Sequence, residues 1–412
     1  VSRVKIIYES KDIFNQVLYL MTKSFRIRNN YTLYEALKEA DHLNASLFVL
    51  IIPPIEEHQR NKDFFIENTS DLTNKLIDLG CESQILSDRS LISEYIKSQT
   101  VIYIDKAYLR EDRRFFEQMK KISINLNDRL IEVDSNVFQP TEMVSDKEEY
   151  SARTIRDKIW RHFIGPLVLM NENMCLGETK ALKLLDDFVN HGLSNYDQRN
   201  DPANNHLSGL SPYLKYGFIS PNVIYDLVSK TNHANAGSFL EELIVRRELA
   251  YNFVLYNQNY DRFDHMTYGW AYQTMSVHID DPRKYIYSLE DYIQFKTHDP
   301  YFNTAMKEMV LFGRMHSYMR MYWCKKLIEW APSYEEAYKQ AIYLNNHYFL
   351  DGNTPNGYAG VAWCFGKHDR AWPERPIFGK LRYMNANGLK HKFDIEKYIE
   401  RIEKEILEGI GK

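Results

Sequence analysis

Leu207, Ser208, Gly209, Leu210 and Ser211 open the stretch LSGLSPYLKYG. Two serines three apart flank a glycine, and a proline follows the second, a turn that aims free N–H groups and hydroxyls at a phosphate. Ordinary turns and helix starts use the same residues. In FLEELIVRREL, residues 239–249, Glu241, Glu242, Arg246, Arg247 and Glu248 share one helical run, and a spacing of four puts Glu242 over Arg246. Leu240, Leu243, Ile244 and Leu249 require a buried face, so some of these charges border the core. A carboxyl there can be held neutral and donate a hydrogen bond.

The stretch MHSYMRMYWCKKLIEW, residues 315–330, joins Arg320 to two tryptophans, Trp323 and Trp330, on one helix face. Met315 and Met319 there read as core packing. From 343 onward, Asp-Gly, Asn-Thr-Pro and Asn-Gly-Tyr mark a loop that presents Asn345, Asp351 and Asn356 from loops or helix ends. Between Lys367 and Lys392, seven cations face two carboxylates, a balance of +5 interleaved with Trp372, Phe378 and Tyr383 and preceded by Trp363. Cations alternating with aromatics form the footprint of a nucleic-acid groove, and equally of a solvated basic surface.

The elements that position these residues fall into two kinds. In the first third, VLYLM (17–21), SLFVLIIP (46–53), SQIL (83–86) and TVIYID (100–105) read as strands, with helical stretches such as TLYEALKEADH and SDLTNKLIDLG between them. Alternation of that kind predicts a doubly wound parallel sheet, here a Rossmann-like layer over residues 1–134 without a Gly-x-Gly-x-x-Gly phosphate loop. The polar stretch Asp134–Glu148 reads as a connector crossing the surface, within a linker set at 135–159. Residues 160–412 form a larger all-helical domain with long 3.6-period segments. The 412-residue chain carries a net charge of −4, so any nucleic-acid site is a local patch. Four scattered cysteines read as reduced intracellular thiols and match no metal pattern. The chain contains no run of about 18 apolar residues, and VSRVKIIYESKD lacks a signal peptide's apolar core. The expectation is a soluble cytoplasmic protein.

Taken in order, YSARTIRDKI, RNDP, LSGLSPYLKYG, FLEELIVRREL, KEMVLFGRMHSYMRMYWCKKLIEW, AIYLNNHYFLDGNTPNGYAG, HDRAW, FGKLRYMN and KFDIEKYI resemble the class II cyclobutane pyrimidine dimer photolyases of the photolyase and cryptochrome superfamily. The collinear set runs from about residue 150 to 402. It implies a helical domain holding FAD, active in its reduced anionic form, and a monomer acting on DNA that contains pyrimidine dimers. By resemblance Tyr196, Leu207, Ser208, Gly209, Leu210, Ser211 and Arg247 join the cofactor site. Arg320 and Asp351 match the ion pair over the flavin ring, and Asn345 matches the asparagine facing its central nitrogen. Glu242, Met321 and Trp363 match groups that touch the flipped dimer. Arg246, Arg370, Trp372 and Arg382 match DNA contacts, and Trp323 and Trp330 an electron path.

Four departures qualify the resemblance. Phe302 stands where the family usually carries a tryptophan of the electron path, so photoreduction of the flavin is expected to be impaired. The loop CFGKHDRAW is one residue shorter than usual, and Arg246 replaces a tryptophan of some members. KSFRIRNNY has serine and asparagine where aspartates are usual, so no antenna-binding residue is assigned. The alternative is a cryptochrome-like photoreceptor or a DNA-binding homologue without repair. Against it, the chain ends at Lys412 soon after the last motif, leaving no long signalling tail.

Overall fold

The computed structural model describes residues 2–10, 13–161, 163 and 173–409. Six strands form one sheet in the order β1-β6-β5-β2-β3-β4, with β1 at Val4–Tyr8, β2 at Gln16–Met21, β3 at Leu47–Ile51, β4 at Glu82–Ile85, β5 at Thr100–Asp105 and β6 at Arg129–Val133. β2 to β6 pair in parallel and β1 lies antiparallel against β6. The four runs read as strands are β2 to β5, while β1 and β6 are additions.

The strand period of two divides the core. Val17, Tyr19 and Met21 pack on one face with Leu33, Ala36 and Ala40 of helix α1 (Tyr31–Leu43). Leu18 and Leu20 pack on the other with Phe115 and Met119 of α2 (Arg110–Leu126). Covered on both faces, β2 is apolar at consecutive positions. Asn30 caps α1 by accepting from the Leu33 N–H at 3.0 Å, and Asn44 ends it in the left-handed conformation.

The chain after β6 is not a polar surface connector. Val137, Phe138 and Val144 are buried, and short helices occupy Thr141–Val144 and Ala152–Arg161. Its backbone is tied on both sides: Arg3 donates to the carbonyls of Asp134, Val137 and Phe138, and Asn252 bonds Lys147 and Glu149. Polar composition there reflects partners inside the protein rather than exposure to water.

Helices then dominate: α3 (Ser211–Lys215), α4 (Arg247–Tyr256), α5 (Gly269–Val277), α6 (Pro300–Phe312), α7 (Ser317–Trp330), α8 (Tyr334–Tyr348), α9 (Pro355–Cys364) and α10 (Ile395–Leu407). α7 is central. It buries Met319, Tyr322, Trp323, Cys324, Lys325, Lys326, Leu327, Ile328 and Trp330, so nearly all of its circumference lies against other elements. Met315 and Met319 are core residues, as their composition suggests. No described helix is long and apolar enough to cross a membrane.

Candidate flavin and DNA site

The N-terminus of α7 is fixed by a buried imidazole. His316 Nδ1 accepts from the Tyr318 N–H at 3.3 Å, and burial, aided by Arg401, pushes its basicity down to about 3, so the ring is neutral and serves as an acceptor. One turn on, Arg320 donates from Nη2 to Asp351 Oδ1 at 2.9 Å and from Nε to the Met315 carbonyl at 3.1 Å. Its guanidinium lies 4.0 Å from the centre of the Phe349 ring. Among the described residues its Nη1 has no hydrogen-bond acceptor, and the side chain is 31% exposed. A cation held flat by an aromatic ring and a carboxylate, with donors left over, is built to receive a further anionic or electron-rich group.

Further polar and incompletely buried positions lie on α8 and α9. Asn345 is buried, its Nδ2 donating to Asn346 Oδ1 at 2.9 Å, and it packs where a side chain on Gly357 would stand. Asn356, Gly360 and Trp363 follow at helical spacing along one incompletely buried face of α9, and nothing lies within 4 Å of where a Gly360 Cβ would be. Trp323 is 2% exposed, and its Nε1–H is buried without an acceptor. An open helix face, a partly free guanidinium and an orphaned indole donor fit a flat, acceptor-rich ring system such as a flavin.

Tyr196, Arg199 and Glu242 form a second cluster. Arg199 Nη2 stands 3.4 Å from Glu242 Oε1, and its guanidinium lies 5.0 Å from the Tyr196 ring centre. Burial raises the Tyr196 phenol, and the Glu242 carboxylate adds to it. His206, at the mouth of the 207–211 turn, and Arg320 both act on His316, which places that turn beside the start of α7. Gly209 is left-handed at φ +68° with Leu184 at 3.3 Å from where a Cβ would be, and its Ser208 neighbour accepts the Leu210 N–H at 3.5 Å. Leu207 and Ser208 are partly exposed and Leu210 is buried. Ser211 is exposed at the first position of α3.

The helix period assumed for Glu242 and Arg246 is overturned. Residues Glu241–Arg246 form a π-helical turn inserted before α4. The extra residue per turn brings Arg246 to Glu241, at 3.7 Å, and leaves Glu242 to Arg199. Arg156 holds Glu241 from the other side at 2.6 Å. Arg247 is buried. It donates to Glu248, to the Asn136 carbonyl at 2.7 Å and to the Tyr251 hydroxyl at 2.9 Å, which makes it a tie to the segment after β6. Burial pushes the Glu248 carboxyl up to about 7, with Arg247 opposing.

On the other flank, Arg382 lies between two indoles, 4.9 Å from the Trp363 ring centre and 4.2 Å from that of Trp372. Asp369 grips it twice, at 3.0 and 3.1 Å, and also accepts from Trp372 Nε1 at 3.4 Å. Arg382 is therefore a spacer between aromatic plates more than a free phosphate contact, whereas Arg370 stacks on Trp372 at 4.7 Å with no carboxylate partner among the described residues. Lys325, on α7, approaches Trp363 at 6.0 Å and donates to the Cys364 carbonyl. Met321 is partly exposed next to Arg320. Asp369 and Arg199 were not assigned from sequence, although both sit in quoted stretches, HDRAW and RNDP.

Phe302 is fully buried, 5.1 Å from the Trp330 ring centre and 5.3 Å from that of Tyr292. It fills the space beside Trp330 with a ring that is hard to oxidise. A separate cleft of about 480 Å³ lies at the carboxyl ends of the strands, where the order reverses between β5 and β2. Lys23, Asp105, Lys106 and Asn136 face Lys215 and His347 across it, and none of the site residues named from the sequence lines it.

The DNA photolyase family model matches residues 17–164. The deoxyribodipyrimidine photo-lyase of Methanothermobacter thermautotrophicus is 39% identical, over 94% of each chain. That of Arabidopsis thaliana is 34% identical over 94% of this chain and 88% of its own. Among solved structures, an archaeal photolyase of Sulfolobus tokodaii, described with two FAD molecules, superposes with a TM-score of 0.71 at 15% identity, covering 94% of this chain and 89% of that one. Identity at this level over nearly the whole length shows that the chain belongs to the DNA photolyase family.

Proposed function

We propose that this chain is a light-driven repair enzyme for cyclobutane pyrimidine dimers in DNA, a deoxyribodipyrimidine photolyase of the class II type with FAD as its cofactor. The observation that carries the reading is the pairing of Arg320 with Asp351, the guanidinium flat on Phe349 and still 31% exposed. When bound, FAD in its reduced anionic form supplies the light-excited electron for cleavage of the dimer. Arg320 would stabilise negative charge on the bound ring, and Asp351 keeps its guanidinium flat against Phe349. Tyr196 and the 207–211 turn hold the cofactor's polar end.

The dimer reaches this site by leaving the duplex, a step that costs less for a damaged base pair. Trp363 and Met321 wall the extruded bases. Glu242, exposed beside Arg199, hydrogen-bonds the dimer, where charge develops during ring opening. Arg370, Arg246 and the indole of Trp372 hold the opened strand. Incubation of the reduced protein with dimer-containing oligonucleotide under blue light tests this: restoration of pyrimidine absorbance supports it, and an unchanged lesion with verified reduced flavin removes it.

The photoreceptor alternative is not favoured, since both curated relatives above carry the repair enzyme's name. What Phe302 affects is reduction of the flavin by light through Trp323 and Trp330. Replacing Phe302 by Trp raises the photoreduction rate about tenfold or more, measured as bleaching of oxidised flavin with an external donor. The added volume in a filled core costs about 1–3 kcal/mol of stability. Equal rates in both proteins would show that electrons bypass this position.

A further inference from the structure

Residues 369–383, which carry Asp369, Arg370, Trp372 and Arg382, fold back on themselves. Arg375 and Gly379 exchange backbone hydrogen bonds at 3.0 and 2.7 Å, and the Trp372 N–H donates to the Lys380 carbonyl at 2.9 Å. The tip of this hairpin is conformationally costly. Ile377, a β-branched residue, has φ +65°, in the left-handed region that such side chains avoid. Contacts outside the hairpin must hold it there.

Those contacts converge on the end of α5. Thr274 Oγ1 accepts from the Lys380 N–H at 2.9 Å, and Asp281 Oδ2 accepts from the Ile377 N–H at 2.6 Å. The Tyr334 hydroxyl stands 2.6 Å from the Ile377 carbonyl and 3.1 Å from that of His278. A Cβ on Gly379 would lie 2.2 Å from Thr274 Oγ1 and 2.7 Å from His278 Cδ2, so the hairpin backbone is pressed directly onto the helix.

His278 sits between two carboxylates: Nδ1 is 2.7 Å from Asp281 Oδ2 and Nε2 is 2.9 Å from Glu374 Oε1. Ionised carboxylates only accept, so both ring nitrogens donate and the ring is an imidazolium. A neutral ring would turn one lone pair on a carboxylate and release either the hairpin residue Glu374 or Asp281, which carries the Ile377 amide. The cation also stands at the C-terminus of α5, where the helix favours positive charge.

We propose that doubly protonated His278 is the positioning residue that clasps the 369–383 hairpin to α5, and that affinity for dimer-containing DNA falls when this proton is lost. The proposal rests on the reading of that hairpin as a DNA contact. Hydrogen bonds to Glu374 and then Asp281 raise the His278 imidazole above its usual value. The clasp is therefore complete below the ordinary histidine range, about 6.5, and is lost as pH rises through the raised value. The groups facing the ring are Glu374 from the hairpin, Asp281 with Arg283 from the segment after α5, and the Tyr334 phenol from α8. Arg283 does not compete for it, being bonded to the carbonyls of Ile328 and Glu329.

The test compares the flavin-loaded wild type, H278Q and E374Q, in the dark, for affinity to a dimer-containing duplex from about pH 5.5 to 9, alongside amide exchange at Ile377 and Gly379 without DNA. Wild-type affinity is expected to fall about threefold across the interval, the scale of partly exposed ion pairs. Protection of the two amides should fall with it. H278Q is weaker and flat. E374Q keeps the acid-side affinity but loses the pH dependence, because an amide can rotate to meet either state of the ring. An identical pH slope of amide protection in wild type and H278Q overturns the clasp. If protection behaves as expected and affinity does not follow, the clasp has no positioning role in DNA binding. R370A separates the underlying reading: unchanged affinity in that variant shows that the hairpin is not a DNA contact, whatever His278 does.

Discussion

Arg247 and Arg320 both sit on helices rich in aromatic and acidic residues, yet they have opposite surroundings. Arg247 is 5% exposed, and each of its described bonds ends on the protein: Glu248, the Asn136 carbonyl and the Tyr251 hydroxyl. Arg320 is pinned by Asp351, Phe349 and the Met315 carbonyl but stays 31% exposed. The first cation ties its helix to the segment after β6. The second is held in place with donors unmet. Residue type and helical setting do not distinguish a structural arginine from a site arginine; the number of donors already satisfied does.

The largest expected effect breaks the structural side. Arg247→Met leaves Glu248 buried without its cation, and denaturant unfolding should show a loss of about 3–5 kcal/mol, with flavin affinity of the folded fraction unchanged. Arg320→Met comes next. It removes a charge-assisted contact of about 2 kcal/mol, so FAD affinity drops about thirtyfold while the midpoint of unfolding without flavin moves little. Glu242→Ala is smaller: repair slows about fivefold, the scale of one hydrogen bond, with an unaltered flavin spectrum.

The gentlest probe of the comparison is pH. The Glu248 carboxyl is raised to about 7 against 4.5 unfolded, so its contribution to stability is complete below about pH 4.5 and is lost as pH rises through about 7. Thermal melts of wild type over that window should show a decline that Glu248→Gln lacks. Parallel curves would mean that Arg247 keeps Glu248 ionised throughout, which would strengthen the buried pair and leave the contrast with Arg320 intact.

Much of this arrangement was legible in the sequence because apolar patterning carries it. β2, β3 and β5 are nearly continuous apolar runs, as parallel strands covered on both faces must be, whereas β4, ESQI, is an exposed edge strand. β1 and β6, VKIIY and RLIEV, mix charges into five residues, and β1 is an edge strand that pairs only with β6 among the described strands, a relation that local composition does not encode. The π-helical turn was hidden for a different reason: one residue added to a helix changes no composition, only which side chains face each other. Glu242 and Arg246 looked paired at a spacing of four until that insertion separated them. Asp369 escaped notice because its partner, Arg382, lies across the hairpin, and the tie from Arg247 to the Asn136 carbonyl was hidden because that partner lies more than a hundred residues earlier.

The most direct measurement is a titration of FAD into protein freed of flavin, for wild type, R320M and R247M, with thermal unfolding recorded on the same samples. The account predicts that R320M weakens binding about thirtyfold at near wild-type stability and that R247M melts early while its folded fraction binds FAD normally. Flavin affinity lost with R247M at full stability, and retained with R320M, would contradict it.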